Sequence, residues 1–483
     1  MRQRRSSSLE YFLASLPLAV IVLLLLIRVP ALYAISATIV LTLILAWEFP
    51  LRSAVLTESL PSTLDLSITL ALIMFGGIAL ANLLHASGAQ KDINTWLNRL
   101  VVSPERAALF YGLVLVPLIE SLVGWGLGVI TGIPMLLGTG LSKLKAIQIA
   151  LLGMMLCPWG AFAPSLIVAS DFTGFSKTTI GTVTAFYNVP VIFILAISIL
   201  VVHGGAALRV KMWIECLVTA SMMGITLIAV NAFVAPSLAG VLASLGAAVI
   251  LVLFARRGQQ EYHPPTALAV RGMMPYVIVL VGLALSTILA AFVGPSTYTK
   301  LLTNPATWLT VAVAFTPLLV RMASRDTWSS LASSTRAWGP AFSVTLLFVL
   351  FGVLLSLNGM GTSLAEGIAL LGGAFAVLVP ISGFIAGFVT SSNTASAAML
   401  AGPLNVSASG LGLDSVHAVS VQTAASGAAV MCSPARAEVS RQTANLLSPG
   451  GDEGVTVARI LSPALLANAI IVALLAGLGY IFF

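Results

Sequence analysis

Charged residues are scarce in this chain, and their scarcity argues against a soluble globular protein. Of 483 residues, 8% are Asp, Glu, Lys or Arg and 59% are hydrophobic, with a mean hydropathy of +1.06. Several apolar stretches reach the roughly 20 residues that a helix needs to cross a hydrocarbon core about 30 Å thick. The run from Leu18 to Ile27 is unbroken, whereas the strands of a membrane β-barrel alternate apolar and polar residues. The sequence therefore predicts an all-α polytopic membrane protein within a lipid bilayer.

Cysteine and the usual signatures of catalysis are also sparse. The three cysteines, Cys157, Cys216 and Cys432, are too scattered for a disulfide framework, and no spacing of His and Cys predicts a metal site. We find no phosphate-binding loop, nucleophile elbow or His-Glu-x-x-His motif, which argues against an ATP-driven pump and against an enzyme. The net charge of +7 comes from short clusters between apolar runs, a pattern typical of membrane loops and not of nucleic-acid binding. We expect no cofactor and no nucleic-acid partner.

The apolar segments indicate two similar halves with about twelve transmembrane helices. The predicted parts are an N-terminal helix at 1–30, a first repeat at 31–205, a connecting helix pair at 206–270 and a second repeat at 271–483. Each repeat contains two apolar arms around a small, polar centre, near 104–140 and near 362–403. Irregular backbone survives at membrane depth only where protein or a water-filled cavity satisfies it, so we predict two re-entrant hairpins. We expect the two repeats to have inverted topology.

The hairpin centres and the helices that follow them carry the candidate site. The first centre runs from Glu120 to Gly126 and the second from Thr390 to Thr394. After each hairpin an apolar segment is interrupted, first around Cys157-Pro158 and then around Ser426-Gly427 and Pro434. Such breaks free backbone amides and carbonyls that can bind ions. Paired interruptions in corresponding halves predict a secondary transporter.

Three motifs resemble the bacterial L-lactate permease family. Ile119 to Gly126 is similar to the family's Ile-Glu-Gly-x-x-Gly-Phe-Gly, Thr390 to Asn393 to its Thr-Ser-Ser-Asn, and Met431 to Pro434 to its Met-Ile-Ser-Pro. The resemblance spans roughly residues 60 to 480 and is specific only at these motifs. It implies uptake of a small carboxylate, lactate or glycolate, with protons across the bacterial inner membrane. It also implies the fold of the ion transporter superfamily, with an elevator motion and a homodimer.

Two positions depart from the family pattern. The family usually carries an Asp just before Thr-Ser-Ser-Asn and a Lys just before Met-Ile-Ser-Pro, where this chain has Val389 and Val430. Their joint loss fits either a removed ion pair or a changed substrate, so the identity of the anion stays open. Arg436 is a candidate for the missing positive charge, although a basic residue after an apolar span usually anchors topology at the cytoplasmic face.

Each candidate residue has a functional and a structural interpretation. Glu120 lies in an apolar stretch, where a desolvated carboxyl holds its proton more readily, so it is the candidate for proton coupling; the alternative is a hydrogen-bond anchor at the hairpin tip. The residues proposed to bind substrate are Ser121, Gly124, Gly126, Ser391, Ser392, Asn393, Thr394, Ser433 and Arg436. Those from Ser391 to Thr394 could instead cap the hairpin helices. The predicted broken-helix backbone positions are Cys157, Pro158, Ser426, Gly427 and Pro434.

The leading hypothesis from sequence is a symporter that moves a small organic anion with protons. A sodium-coupled carrier of another organic anion is the alternative, because Ser392, Asn393 and Thr394 with freed carbonyls would also suit Na⁺. A non-transporting membrane subunit is the third hypothesis, but it would not need paired broken helices. An enzyme would need a positioned base or metal beside a nucleophile, which the sequence does not indicate.

Overall fold

The computed structural model describes the chain apart from residues 1, 28, 52, 100–103, 257–263, 295, 370–373 and 448–454. Parts of the predicted connecting segment, at 257–263, and of the predicted second hairpin, at 370–373, therefore lie outside the described residues. The described residues are mostly helical and contain no β-strand, which confirms the all-α prediction.

The first half of the chain ends with α10. Its elements are α1 (Arg2–Leu26), α2 (Ala31–Ile44), a 3₁₀ turn (Leu45–Trp47), α3 (Ser53–Ala86), α4 (Ala89–Arg99), α5 (Pro104–Leu109), a π-helical segment (Phe110–Leu115), α6 (Val116–Val123), α7 (Leu127–Gly138), α8 (Lys143–Leu152), a 3₁₀ segment (Met154–Phe162), α9 (Pro164–Thr173) and α10 (Lys177–His203). Helix α7 folds back against α6 and the π-helical segment. Residues Pro104–Gly138 thus form a helical hairpin, hairpin 1.

A 3₁₀ turn and two helices lead into the second half. They are Gly205–Ala207, α11 (Val210–Phe233) and α12 (Pro236–Arg256). The second half contains α13 (Ala267–Val293), α14 (Thr297–Leu302), α15 (Pro305–Leu319), α16 (Ser324–Leu357), α17 (Met360–Ala369), α18 (Phe375–Thr390), α19 (Asn393–Gly410), α20 (Ser415–Ala429), a 3₁₀ turn (Val430–Cys432), α21 (Pro434–Leu447) and α22 (Val457–Phe482). Hairpin 2 consists of α18 and α19.

The arms of hairpin 2 differ from the predicted 362–403. The first arm begins at Phe375, and α17 is a separate helix that packs against α1 and α19. The second arm continues to Gly410 and ends in a left-handed turn, where Gly412 has φ +70° and the Leu413 N–H donates to the Ala408 carbonyl at 2.9 Å. Such a glycine-containing turn is a common helix terminator.

The order of helices is the same in both halves. In the first half, α1 to α4 precede hairpin 1, and a broken helix (α8 and α9) and a long last helix (α10) follow it. In the second half, α13 and α15 to α17 precede hairpin 2, and a broken helix (α20 and α21) and a long last helix (α22) follow it. Helix α13 packs on α4, and α1 packs on α17, so each half contributes its first helix to the other. This order would place α1 inside the first repeat. The bounds 31–205 and 271–483 and the inverted topology stay predictions.

The long apolar helices confirm a multi-pass membrane protein. Within the described residues, nine helices are long and apolar enough to cross a membrane, or ten if α8 and the 3₁₀ segment after it, bent by 56°, form one span. One of the nine, Arg106–Val123, is the first arm of hairpin 1, which the count of about twelve from sequence leaves out; that count includes instead α2, α15, α20 and the first broken helix.

The helices fall into two groups that pack against each other. We call α3 and α16, with α2 and α15 beside them, the frame helices. The hairpin group contains both hairpins, both broken helices, α10, α22 and the pair α11 and α12. A buried ion pair joins hairpin 1 to α11, since Arg106 donates two hydrogen bonds to Glu215 at 2.9 and 2.8 Å. The groups touch where α3 meets α6 and α9 and where α16 meets α19.

In each half, one asparagine of the last helix donates a hydrogen bond to a backbone carbonyl of the broken helix. Asn188 is the twelfth residue of α10 and donates to the Met155 carbonyl at 3.0 Å; Asn468 is the twelfth residue of α22 and donates to the Ala428 carbonyl at 3.1 Å. The second half of each broken helix begins with a proline, Pro164 or Pro434, which the first position of a helix tolerates because that N–H has no helical partner. The two interruptions therefore share one design.

Candidate functional site

A cavity of about 270 Å³ lies where the two hairpin tips, the first broken helix and the frame helices meet. Its walls come from both halves of the chain. The lining residues are Leu70, Met74, Glu120, Gly124, Trp125, Cys157, Gly160, Ala161, Pro164, Ala341, Val344, Thr345, Thr390, Ser391, Ser392, Asn393, Thr394 and Arg436. The frame helices supply a mainly apolar wall, and the hairpin group supplies hydroxyls, one amide and two charged groups.

The tip of hairpin 1 is a tight turn held by Glu120. Gly124, Trp125 and Gly126 all have positive φ, between 56° and 81°. The Glu120 side chain is 3% exposed, and its carboxylate accepts the Gly126 N–H at 3.0 Å from each oxygen and the Gly128 N–H at 3.4 Å. Glu120 therefore has the contacts of a hydrogen-bond anchor while its carboxyl also lines the cavity. Proton coupling by this group stays a proposal.

The tip of hairpin 2 is a turn between Thr390 and Asn393. Ser391 has φ +56°, and the Ser392 hydroxyl accepts the Ala395 N–H at 3.2 Å, capping α19. The Thr390 hydroxyl donates to the Ala386 carbonyl at 2.7 Å. Some of the hydroxyl groups predicted to bind substrate therefore bond to the backbone of the hairpin helices, as the structural interpretation of the sequence predicts. These residues nevertheless remain in the cavity wall.

Arg436 joins the two hairpin tips. It lies in the first turn of α21, its Nη1 donates to the Trp125 carbonyl of hairpin 1, and its Nη2 donates to the Ser391 carbonyl of hairpin 2 at 3.3 Å. The Arg436 Nε is buried and has no hydrogen-bond partner within the described part of the chain. The Ser391 and Ser433 hydroxyls are also hydrogen-bonded to each other. Arg436 thus points into the protein and lines the cavity, unlike a side chain that anchors topology in water.

Asn393 connects hairpin 2 to both broken helices. It is 4% exposed; its Nδ2 donates to the Ser165 hydroxyl at 3.4 Å, and its Oδ1 accepts from the Ser426 hydroxyl. Both polar atoms of Asn393 are therefore engaged within the protein. Gly427 and Pro158 touch directly, because a Cβ at Gly427 would lie 2.6 Å from the Pro158 ring. The broken helices thus position Asn393, which lines the cavity, through Ser165 and Ser426.

Several predicted residues lie outside the cavity wall. Ser121 is buried against α12, where a Cβ on Gly240 would overlap its hydroxyl. Gly126 lies beneath the guanidinium of Arg436. The remaining residues of this kind are Pro158, Ser426, Gly427, Ser433 and Pro434. Of the predicted set, the structure brings Glu120, Gly124, Cys157, Ser391, Ser392, Asn393, Thr394 and Arg436 to the cavity.

Sequence reasoning missed part of this wall and its supports. Trp125 contributes its carbonyl to Arg436, and Ala161, Phe162 and Ala163 follow one another at positive φ between 48° and 68°. Such a run of non-glycine residues is costly and is found where surrounding structure enforces it. Among the described residues, no group of three or more His, Cys, Asp or Glu side chains is placed to hold a metal ion.

We expect Gly126→Ala to weaken ligand binding at the cavity. Any Cβ at this position would overlap Nη1 of Arg436, and φ at Gly126 is +81°, which costs an L-residue about 1–2 kcal/mol. The matched control is Gly174→Ala, because Gly174 has φ +76° and open space around a Cβ. Both variants should lose comparable thermal stability, but only Gly126→Ala should raise the dissociation constant for the transported anion. Equal binding by the two variants would contradict the close approach of Gly126 and Arg436.

The long apolar helices and the cavity between two hairpin tips describe a multi-pass membrane transporter. The family is shown by sequence: a model of the family "L-lactate permease" matches residues 10–288 and 283–482. The chain belongs to the L-lactate permease family, as its motifs indicated, and it is not an enzyme.

Comparison with solved structures gives a more distant similarity. The crystal structure of the YdaH transporter of Alcanivorax borkumensis, reported to have an unusual topology, is 12% identical in sequence, with a TM-score of 0.46; the alignment covers 88% of this chain and 87% of that one. No curated protein sequence matches this chain.

Proposed function

We propose that this transporter moves a small monocarboxylate, such as lactate or glycolate, together with a proton. The observation that carries the proposal is Arg436, which places a guanidinium in the cavity wall between the two hairpin tips. A guanidinium presents donors in a planar fork that matches a carboxylate. Its present acceptors are two backbone carbonyls, and an anion is a stronger acceptor than either. The substrate carboxylate would therefore replace one of these contacts.

Helix ends around the cavity also favour an anion. Helices α7, α9, α19 and α21 all begin at or beside lining residues: Trp125, Pro164, Asn393 and Arg436. The N-terminus of a helix carries partial positive charge and free N–H groups. Glu120 already occupies two amides of hairpin 1, so the other helix ends and Arg436 are left for the substrate.

The size and walls of the cavity suit a small hydroxy acid. Pockets for drug-sized ligands usually measure about 300–1,000 Å³, and this cavity of about 270 Å³ lies below that range. Leu70, Met74 and Val344 would contact a short apolar chain. The hydroxyls of Ser391 and Thr345 donate to Ser433 and to the Ala341 carbonyl, so their oxygens can still accept a hydrogen bond from a 2-hydroxyl group. These contacts support a short monocarboxylate over a large or multiply charged anion.

Charge balance in the cavity supports proton coupling. The charged side chains in its wall are Glu120 and Arg436. Both contact the turn of hairpin 1, because Glu120 accepts the Gly126 N–H and Arg436 donates to the Trp125 carbonyl. With Glu120 ionised, a bound carboxylate leaves one net negative charge in a poorly hydrated space; with Glu120 protonated, the charges cancel. Since uncompensated charge in such a space is costly, each of the two ligands favours binding of the other. Reciprocal coupling of this kind is what a symporter requires.

We further propose that the hairpin group moves as a unit past the frame helices, as in an elevator mechanism. The cavity lies at the boundary between these groups, so relative displacement would change which side of the membrane it faces. Residence in the bacterial inner membrane and assembly as a homodimer belong to the same proposal, by resemblance to the family.

Uptake of radiolabelled L-lactate and glycolate into proteoliposomes tests the function. We expect accumulation when an inward proton gradient is imposed and no accumulation in liposomes without protein. One proton per anion gives about tenfold accumulation for each pH unit, because a tenfold concentration ratio corresponds to about 1.4 kcal/mol. Accumulation driven by sodium alone would instead support the sodium-coupled alternative. Lack of uptake under both gradients would exclude these two acids as substrates.

A further inference from the structure

Three buried side-chain oxygens of α10, those of Thr182, Thr184 and Asn188, have no hydrogen-bond partner within the described part of the chain. Two of them share the face of α10 on which Asn188 contacts the first broken helix. The Oγ1 of Thr184 and the Oδ1 of Asn188 make no hydrogen bond within the described part of the chain, and both residues are 0% exposed. They are four residues apart, so they lie one turn from each other on the same face of the helix. Buried polar atoms in folded proteins nearly always have a partner, and leaving one unpaired is costly. This pair therefore indicates a bound species at this position.

The surroundings specify what the species must offer. Asn188 uses its Nδ2 to donate to the Met155 carbonyl, which leaves its Oδ1 only able to accept. Met155 lies just beyond the C-terminus of α8, which ends at Leu152. The last carbonyls of a helix carry partial negative charge. Met155 belongs to the 3₁₀ segment, in which Leu156 departs from helical geometry at φ −104° and ψ 24°. A backbone carbonyl has two lone pairs, so the Met155 carbonyl can accept a further contact beside that from Asn188. Oxygen acceptors and a helix C-terminus together favour a cation.

We propose that Thr184 and Asn188, with carbonyls of the first broken helix, form a site for a dehydrated monovalent cation, with sodium as the probe. The site uses neutral oxygens, which suits a monovalent ion better than a divalent one, for which carboxylates are the usual ligands. Unwound carbonyls and half-helix C-termini are the groups that coordinate sodium in transporters with discontinuous helices. The site differs from the cavity, since neither Thr184 nor Asn188 lines it.

The second half of the chain provides an internal comparison. Asn468 occupies the same place in α22 as Asn188 does in α10 and also supports a broken helix. One turn before Asn468, however, stands Ala464 where α10 has Thr184. The Asn468 Nδ2 also contacts the Ala464 carbonyl and the Cys432 sulfur. The Asn468 Oδ1 is likewise buried and has no hydrogen-bond partner within the described residues, so one unpaired amide oxygen does not by itself indicate a cation. The second half keeps the asparagine support but lacks the adjacent hydroxyl ligand, so we place the cation site in the first half only.

Thermal unfolding of the purified full chain, without substrate, tests the site. Melting temperatures are compared in sodium, potassium and choline chloride at equal ionic strength, and sodium is then titrated. We expect a saturable rise in Tm that sodium produces and choline does not, because a ligand of the native state stabilises it. Thr184→Ser should keep this response. Thr184→Val should raise the sodium concentration for half-maximal effect by about tenfold or more, since it removes one ligand of a charged species.

Two comparisons separate a ligand role from a packing role. Thr182→Val removes the other unpaired hydroxyl of α10. Thr182 is two residues from Thr184 and so points away from the face that Thr184 and Asn188 share, and its replacement should leave the sodium response intact. Asn188→Ala and Asn468→Ala both remove a support of a broken helix, yet only Asn188→Ala should abolish the response. If the unaltered protein had the same Tm in sodium and in choline, the proposal would be overturned. A water molecule would then be the species that hydrogen-bonds to these oxygens. A response retained in Thr184→Val would overturn it as well. Neither outcome depends on whether a monocarboxylate is transported.

Discussion

We expect the Glu120→Gln protein to lose proton-driven accumulation of the anion and to keep exchange of internal for external anion. Glutamine resembles the protonated carboxyl in shape and charge, so the cavity should bind the anion at any pH without taking up a proton. Under a pH gradient of one unit, the accumulation ratio should fall from about tenfold to about one. Exchange needs no net proton movement and should continue. Both are measured in the same proteoliposomes with radiolabelled substrate.

The hairpin tip should tolerate this substitution. The Gly126 N–H lies 3.0 Å from each carboxylate oxygen, so the remaining oxygen of a glutamine can still accept it. The matched control is Glu215→Gln, which neutralises another buried carboxylate that pairs with Arg106 outside the cavity. Breaking that pair should cost about 3–5 kcal/mol of stability and leave proton coupling unchanged. If Glu120→Gln lost exchange and accumulation together while remaining folded, Glu120 would be a structural anchor and not the coupling group.

The hairpins could be found from sequence because their centres interrupt apolar runs in a visible way. Glu120, Gly124 and Gly126 stand out in the first hairpin, and the turn of the structure falls among them. The outer bounds of the second hairpin were less accurate. Apolar residues continue from α17 through α18, so hydrophobicity does not show where one helix ends and the other begins. In the same way, Arg436 was recognised as a candidate, but its contacts with both tips depend on long-range packing that spacing does not reveal.

The role of the asparagines that contact the broken helices is also hard to predict from the sequence. Asn188 and Asn468 are single polar residues in long apolar helices, which is common in membrane proteins. Their meaning appears only when the helices are placed in register, because both are the twelfth residue of the last helix in their half. Aligning the two halves of the sequence against each other could have found this signal. The unpaired Thr184 hydroxyl could not have been found in this way, since pairing is a property of the packed state.

Replacement of Arg436 tests whether this side chain binds the substrate anion. We expect Arg436→Gln to weaken anion binding by about 2–5 kcal/mol, as is typical when one partner of a buried, hydrogen-bonded charge pair is removed. That range corresponds to a rise in the dissociation constant of about 30-fold or more. Arg436→Lys keeps the charge, but a lysine cannot span two carbonyls as the guanidinium does. It should therefore show an intermediate loss. Isothermal titration of the purified protein measures both constants.

The matched control lies on the same helix. Arg441 donates to Glu438 at 3.0 and 2.8 Å, away from the cavity. These hydrogen bonds, together with one from Gln442 at 2.9 Å, lower the pKa of Glu438 to about 2. Arg441→Gln should leave anion affinity unchanged, because the charge that it removes does not face the substrate. If Arg436 only anchored topology, Arg436→Gln would lower the yield of inserted protein, and the protein recovered would bind the anion normally. Loss of affinity in correctly folded Arg436→Gln, with normal affinity in Arg441→Gln, would instead place the substrate carboxylate between the two hairpin tips.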